Sequence, residues 1–596
     1  MVKAKAVLIF LSWIFFVSAS EINWNSFEEG LKKAKKEKKL ILVDIYAQWC
    51  HWCNVIENTT YRDKTVVDTI KKYYIPVRVD AEKEPDINKK YNQGGLPTTV
   101  ILNENGELIW GSGRYISPED MIRILNFYGN LPEEKLQKIA EKNKKKKEKF
   151  LKRFSKKVRE KEISPYVIEK TFRYVKFKFD EQYGGFKGAP KFPVDELPYF
   201  LMLYTLFNKD VSKMVKKTLD GYAKIIDPVE GGIYRYSTTA FWSKPHYEKL
   251  LKDQGEISIL FFNGYSFTGE KKYLDYALSL INFTENRLYS PEKGFFYNSQ
   301  GADIVDEKGT ILMSGEEFFP KNKEDRETAV SILGFSPKIE KNIYLSNNSI
   351  AVRSFLYGYA YTENKKLKEK ALRVLDNILK YGFTEKGIKY SPDIEKFLLN
   401  TQIYTLEALL TAYQITGNKK YLERSIYLFD ILKKYYYSQK LKIFTDPEDG
   451  GVSFSKISFI DDIINLNYRL AKSLYMIFLF TNQENYKETA DSIIKRLPVK
   501  GNLSVALSYF LYLKPPLAVH IVDKDKKLIN EAFKIFPFWV FVHHIPAEDK
   551  DLLIKMGYRE KGIYVCNTDM CFFKKENSKL LKKKIFGIFK KYRQIK

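Results

Sequence analysis

The stretch Leu40-Ile41-Leu42-Val43-Asp44-Ile45-Tyr46-Ala47-Gln48-Trp49-Cys50-His51-Trp52-Cys53 decides how this chain is read. An apolar run rich in β-branched residues, ending at a Cys-x-x-Cys, predicts a buried strand. The residues that follow, Asn54 to Lys72, read as a helix. Cys50 then sits at a helix N-terminus, where unpaired N–H groups and the macrodipole stabilise a thiolate, the nucleophilic form. Cys53, one turn further in, is placed to resolve a mixed disulfide. His51 adds positive charge when protonated, and Trp49 and Trp52 shape the surface a partner approaches. An inert structural disulfide or a zinc site would use the same cysteines. Zinc needs two further ligands, and the chain holds only 4 cysteines and 5 histidines. The redox reading therefore leads, with no metal and no cofactor beyond the disulfide itself.

Working outward, Tyr74–Val79 reads as a strand followed by Asp80 and a helical Ile87–Tyr91. After Gly94-Gly95-Leu96-Pro97-Thr98 come strands Thr99–Leu102 and Glu107–Trp110, with a turn at Asn105-Gly106. A proline after a glycine pair and before a strand suggests a cis peptide bond. Residues 22–130 resemble the thioredoxin fold, through Val43-Asp44, Ala47-Gln48-Trp49-Cys50-x-x-Cys53 and Leu96-Pro97-Thr98. The helix onset Glu57-Asn-Thr-Thr-Tyr-Arg-Asp63 looks most like periplasmic thioredoxin-like reductase domains. That resemblance implies Cys50 as attacking thiol, Cys53 as resolving thiol, Asp44 as buried proton acceptor and Pro97 as the cis-proline facing the disulfide.

Residues 1–20 have Lys3 and Lys5 before an apolar run from Ala6 to Val17, then Ser18-Ala19-Ser20. This is the pattern of a secretory signal peptide, too short for a comfortable membrane span. An uncleaved N-terminal anchor is the alternative. The expected location is exported, periplasmic or otherwise extracytoplasmic, where disulfides are formed and managed. The net charge of +27 invites a nucleic-acid reading. Yet residues 133–161 and 574–596 each carry +9, which leaves the body near ordinary and argues against a polyanion-binding fold. Residues 131–161, with Lys144-Lys-Lys-Lys147 and Lys152-Arg153, read as a basic helical linker with few interleaved aromatics, so nucleic acid is not an expected partner.

From residue 162 to 515 the pattern changes to paired helices joined by glycine–aromatic loops. Leu399, Ile403, Leu406, Leu410 and Tyr413 fall on one helical stripe. The unit Thr268-Gly-Glu-Lys-Lys-Tyr-Leu274 returns as Thr416-Gly-Asn-Lys-Lys-Tyr-Leu422. Loops recur at Gly184-Gly-Phe186, Gly231-Gly-Ile-Tyr234, Lys293-Gly-Phe-Phe296, Lys386-Gly-Ile388 and Gly450-Gly-Val452. Repeating helical hairpins predict a closed toroid or an α-solenoid, with function on the loop-bearing face. Two loops are richer than packing requires: Phe179–Pro193, and Gly231 through Arg235, His246 and Glu248 to Asp253-Gln254.

These loops, with Trp-Cys-His-Trp-Cys, resemble the spermatogenesis-associated family in which a thioredoxin-like domain is fused to a helical toroid. The resemblance implies a multidomain protein: an α/β thioredoxin-like fold, an all-α (α/α)6 toroid like those of glycosidases and sugar 2-epimerases, and a small C-terminal α/β unit. Arg235, His246, Glu248 and Asp253 would line the toroid cavity. The later motifs depart from the family: Asn400-Thr-Gln402 replaces an Asp-Tyr-Ala, and the pattern around Ile464–Tyr468 is mostly lost. Arg235, Glu248 and Asp253 therefore admit a second reading, as a buried ionic network closing the toroid.

In residues 516–573, Leu517–Val522 and Phe538–Val542 read as strands around a helical Lys526–Ile535, ending in Cys566-x4-Cys571. That pair reads as a local disulfide, with a second redox pair as the sharper alternative. The tail 574–596 is a basic amphipathic helix, suited either to peripheral membrane contact or to packing on the body. The leading expectation is an exported thiol–disulfide oxidoreductase acting on a protein thiol or disulfide partner. The alternative is a carbohydrate-binding or epimerase/hydrolase-like toroid, taking a small carbohydrate-like ligand, with an accessory thioredoxin module.

Overall fold

The computed structural model describes residues 22–447, 458–498, 502–522, 526–558, 561–575 and 581–591. The proposed signal peptide, the Gly450-Gly451 loop and much of the 574–596 tail lie outside the described residues.

The first unit runs α1 (Phe27–Glu37), β1 (Leu40–Tyr46), α2 (His51–Asn58), α3 (Lys64–Tyr73), β2 (Tyr74–Asp80), α4 (Pro85–Tyr91), β3 (Thr98–Leu102), β4 (Leu108–Ser112) and α5 (Pro118–Gly129). Its sheet has the order β2-β1-β3-β4, with β1–β2 parallel and the other pairings antiparallel. The helix expected over Asn54–Lys72 is two helices. Asp63 accepts the backbone N–H of Val66 and starts α3 afresh, after a 3-10 turn over Thr60–Arg62. The Leu96–Pro97 bond is cis, as its setting suggested.

The basic segment forms α6 (Glu133–Lys157). Ala140 joins the core of the first unit and Phe154 that of the next, while Asn143 donates to the carbonyls of Leu108 and Ile109 on β4. The linker is thus a strut anchored at both ends, its lysines left in solvent.

The helical body runs through α7 (Tyr166–Lys178), α8 (Glu196–Tyr204), α9 (Ser212–Ala223), α10 (Leu251–Thr268) and α11 (Lys271–Phe283), then an excursion with α12 (Gly315–Phe318) and α13 (Lys323–Leu333). It continues through α14 (Leu345–Thr362), α15 (Lys365–Gly382), α16 (Leu399–Thr416), α17 (Lys419–Tyr435), α18 (Ser458–Thr481), α19 (Glu484–Arg496) and α20 (Leu503–Leu513). Helices α8, α10, α14, α16, α18 and α20 touch in that order and α20 returns to α8, closing an inner ring. They are apolar on nearly every side, as helices buried all round must be. Helices α7, α9, α11, α15, α17 and α19 form the outer layer, completing an (α/α)6 toroid.

One device recurs where the sequence repeats. An amide side chain on an inner helix clamps both backbone groups of the apolar residue in the loop before it. Gln254 does so at Ile233, Asn348 at Phe296, Gln402 at Ile388 and Asn467 at Phe444, each accepting the N–H and donating to the C=O. Each of these residues also has an antiparallel β partner, and the amide satisfies the buried backbone groups that face away from that partner. Gln402 thus has a structural task in the segment whose sequence departs from the family.

The last unit runs β5 (Leu517–Val522), α21 (Lys526–Phe533), β6 (Val540–Ile545), α22 (Lys550–Lys555), β7 (Gly562–Cys566), β8 (Cys571–Lys575) and α23 (Leu581–Lys591). Its sheet order is β6-β5-β7-β8, with β5–β6 parallel and the rest antiparallel. This repeats the strand order and directions of the first unit's sheet. The unit caps the C-terminal ends of the inner helices, where His543 meets Tyr413 and Val542 N–H donates to Gln414. Leu581, Ile585, Ile588 and Phe589 of α23 are buried in the same core, so the apolar face proposed for membrane contact is already occupied.

Candidate functional site

Cys50 and Cys53 form a disulfide at the start of α2. Cys50 is the N-cap, and the backbone N–H of Cys53 points at Cys50 Sγ from 3.2 Å. A thiolate at Cys50 would accept that N–H and feel the positive end of the helix. Both cysteines are only 2% exposed, because the toroid covers them.

The cover consists of named contacts. The His51 backbone N–H donates to Glu248 Oε1 at 3.1 Å, and His51 Nδ1 lies 2.8 Å from Asp303 Oδ2. Asn54 Nδ2 donates to the same Asp303 oxygen at 3.2 Å, and Trp52 Nε1 donates to His246 Nε2 at 3.2 Å. The Arg235 guanidinium lies 4.5 Å from the centre of the Trp49 ring. Leu250 packs against the cluster of Ala47, Trp49, Cys50 and Cys53. Farther along the boundary, Asn298 donates to both Glu82 carboxylate oxygens (3.0 and 2.9 Å) and to Glu340 Oε2 at 2.6 Å. Lys89 pairs with Asp446 and Lys396 with Asp86.

The electrostatics follow. Burial works against charge on His51, but the Asp303 hydrogen bond and the nearby carboxylates outweigh it and raise the imidazole pKa. Burial likewise opposes charge on Glu248, yet His246, Arg235 and the His51 N–H hold its carboxyl below the usual range. The cationic form of the imidazole next to Cys50 is thus favoured over that of a free histidine. Asp44, on the central strand β1, is fully buried. Loss of water raises its pKa to about 6, against the pull of Arg78, 3.3 Å away.

On the toroid side, a cavity of about 970 Å3 opens at the N-terminal ends of the inner helices. Arg235 and Asp253 line it, as expected, together with Tyr174, Phe192, Glu256 and Asn400. Lys89 is the first unit's contribution to its wall. His246 and Glu248 do not line it; they face the dithiol. Two apart in an extended segment, they share a side, while Lys249, the next residue after Glu248, turns inward to Asp227 at 2.7 Å.

The ionic network considered for Arg235, Glu248 and Asp253 exists, but with other members. Arg469 reaches Glu256 and Glu407 at 2.9 Å and Asp195 at 3.2 Å, and Arg353 reaches Glu407 at 2.6 Å. It floors the cavity. The rich loops also hold buried ion pairs: Asp180–Lys191 at 2.6 Å, and Arg326–Asp227 at 2.8 Å beside Lys249. Asp303, Glu82, Glu340 and Arg469 were missed by the sequence reading, since no local motif marks residues whose partners are so distant in the chain. Cys566 and Cys571 form a disulfide across the β7–β8 hairpin, with Tyr558 OH 3.3 Å from Cys566 Sγ. Among the described residues, no group of three or more His, Cys, Asp or Glu is placed to hold a metal ion.

The family model described as "Thioredox_DsbH: Protein of unknown function, DUF255" matches residues 12–161. Spermatogenesis-associated protein 20 of Homo sapiens is 29% identical over 329 residues, 51% of this chain and 42% of its own length. An uncharacterised Caenorhabditis elegans protein is 25% identical over 449 residues, covering 68% of this chain and 61% of its own. The chain thus matches less than half the length of the human relative. A thiol:disulfide interchange protein DsbD of Pseudoalteromonas atlantica is 31% identical over 94 residues, 15% of this chain and 16% of its own. Among solved structures, a D-mannose isomerase aligns with TM-score 0.42 at 12% identity, over 61% of this chain and 86% of its own. The family suspected from the motifs is supported.

Proposed function

We propose that this relative of the spermatogenesis-associated 20 proteins is an exported thiol–disulfide oxidoreductase, with Cys50/Cys53 as its dithiol and the toroid recognising the substrate or partner. The observation that carries the reading is the placement of Cys50 at the N-cap of α2, with the Cys53 N–H on its sulfur and His51 beside it. Cys50 attacks, and Cys53 displaces the product from the mixed disulfide. Asp44, with its raised pKa, is the buried group suited to take the Cys53 proton. Leu96, which precedes Pro97 across a cis bond, packs against the cysteine cluster, as the expected role of Pro97 requires, and Trp49 and His51 adjoin the attacking sulfur in the chain. Cys50→Ser should abolish turnover of a model disulfide by the purified chain; retained turnover would refute the reading.

A second reading has its own observation. Asp253 and Glu256, one helical turn apart on the cavity wall, have pKa values pushed in opposite directions. Burial raises that of Asp253; for Glu256, Arg469 and Arg353 overcome burial and lower it. Paired carboxyls separated in this way suit acid–base work on a sugar, and Phe192 offers a ring face for stacking. Sugar binding that disappears in Asp253→Asn would support this reading, and a screen without binding would remove it.

A further inference from the structure

Reactive cysteines usually sit in partly exposed surroundings. Here the first unit's dithiol is shut against a second domain, and the surface a folded protein would dock on is already occupied by Glu248, Asp303 and His246. What adjoins the sulfurs is the toroid cavity. Leu250 is half-buried, touches the cysteine cluster on one side and lines the cavity on the other. Arg235, stacked on Trp49, also lines the cavity. These two side chains are the partition between the chamber and the disulfide. At about 970 Å3 the chamber falls in the small-molecule range of about 300–1,000 Å3, far below the size of a protein domain. Its carboxylates outnumber its Lys and Arg residues, and aromatic and amide side chains complete the wall.

We infer that the cavity and the dithiol form one composite site, whose substrate is a low-molecular-weight disulfide carried on a hydroxyl- or amine-bearing body. This rests on the dithiol reading above and names its substrate class. The body lies in the toroid, and the sulfurs pass Leu250 to reach Cys50. The Cys50 thiolate attacks one sulfur of R–S–S–R; Cys50–S–S–R forms and RS⁻ leaves. The Cys53 thiol, deprotonated, attacks Cys50 Sγ; the protein disulfide forms and the second RS⁻ leaves. Two electrons pass from the protein dithiol to the substrate, and the two departing thiolates take up the two protons lost by the cysteines. An external dithiol, dithiothreitol in the assay, restores the reduced protein.

The test compares bis(2-hydroxyethyl) disulfide, cystamine, oxidised glutathione and insulin as substrates of the full chain. The expected kcat/KM for the first two exceeds that for insulin at least tenfold, with the anionic oxidised glutathione between. Leu250→Trp, which blocks the partition, and Phe192→Ala, on the more exposed wall, should each lower small-disulfide turnover several-fold, with unchanged Tm confirming the fold. Insulin turned over as efficiently as cystamine, or small-disulfide turnover indifferent to both variants in folded protein, overturns the composite site and leaves the dithiol reading standing. Turnover of every substrate by Cys50→Ser overturns the dithiol reading itself.

Discussion

His51 Nδ1 lies 2.8 Å from Asp303 Oδ2, joining the residue after the attacking cysteine to a toroid excursion 252 positions along the chain. This pair and Glu82–Asn298–Glu340 are two of the titratable ties between the two domains, beside Glu248 on the His51 N–H and the Lys89–Asp446 and Lys396–Asp86 pairs. His51 has a raised pKa, so its contribution is complete below the unfolded value of about 6.5 and fades as pH rises through the folded one. Glu82 is raised by burial and by Glu340, so it too favours docking when protonated and opposes it when ionised. Docking should therefore weaken with rising pH. In the reduced chain, the alkylation rate per thiolate at Cys50 should increase with pH, and Asp303→Asn should show the faster rate already at low pH. A per-thiolate rate independent of pH and of Asp303 would contradict this.

Asp44 has its pKa raised to about 6 in the folded chain, from an unfolded value near 4. The folded state holds this proton more tightly, so stability is lost as pH climbs between those values. Two pKa units correspond to about 3 kcal/mol. Asp44→Asn should raise stability at pH 7 by up to that amount, with no gain below pH 4, and should slow resolution of the mixed disulfide. Paired chemical denaturation curves at the two pH values measure the first effect, and single-turnover kinetics the second.

Arg469 holds three carboxylates in the cavity floor. Removing one partner from a buried ionic network costs about 3–5 kcal/mol, because the remaining charges stay buried without compensation. Arg469→Ala should destabilise the toroid by that order in a denaturant titration. Arg173→Ala, on an exposed helical pair, should change stability by less than about 0.5 kcal/mol.

The Cys566–Cys571 disulfide closes a short hairpin, for which chain entropy predicts about 2 kcal/mol of stabilisation. The double Cys566→Ser, Cys571→Ser variant should lose roughly this much and keep full turnover at Cys50. Loss of turnover with stability intact would instead make the pair a redox partner.

The strand and motif from Leu40 to Cys53 were legible because burial, helix onset and thiol chemistry all leave local marks. The break at Thr59–Asp63 was not, since apolar residues continue on both sides and only the Asp63 cap marks it. The toroid was legible from its repeats, and Gln254, Gln402 and Asn467 explain physically why those loops recur. Arg235 and Asp253 were placed correctly on the cavity, whereas His246 and Glu248 were not. Which face an extended segment turns to which neighbour depends on domain docking, and docking is set by contacts hundreds of residues apart. That the last sheet repeats the order of the first was hidden for a related reason: strand order is a property of pairing, and its sequence lacks the motif that marks the first.

The most direct test of the central claim is the mass of the species formed when reduced Cys53→Ser protein meets bis(2-hydroxyethyl) disulfide. The account predicts a single mercaptoethanol adduct, mapped by peptide mass to Cys50 and released by dithiothreitol. A chain that stays unmodified at Cys50 while its cysteine is free and the protein is folded would contradict it.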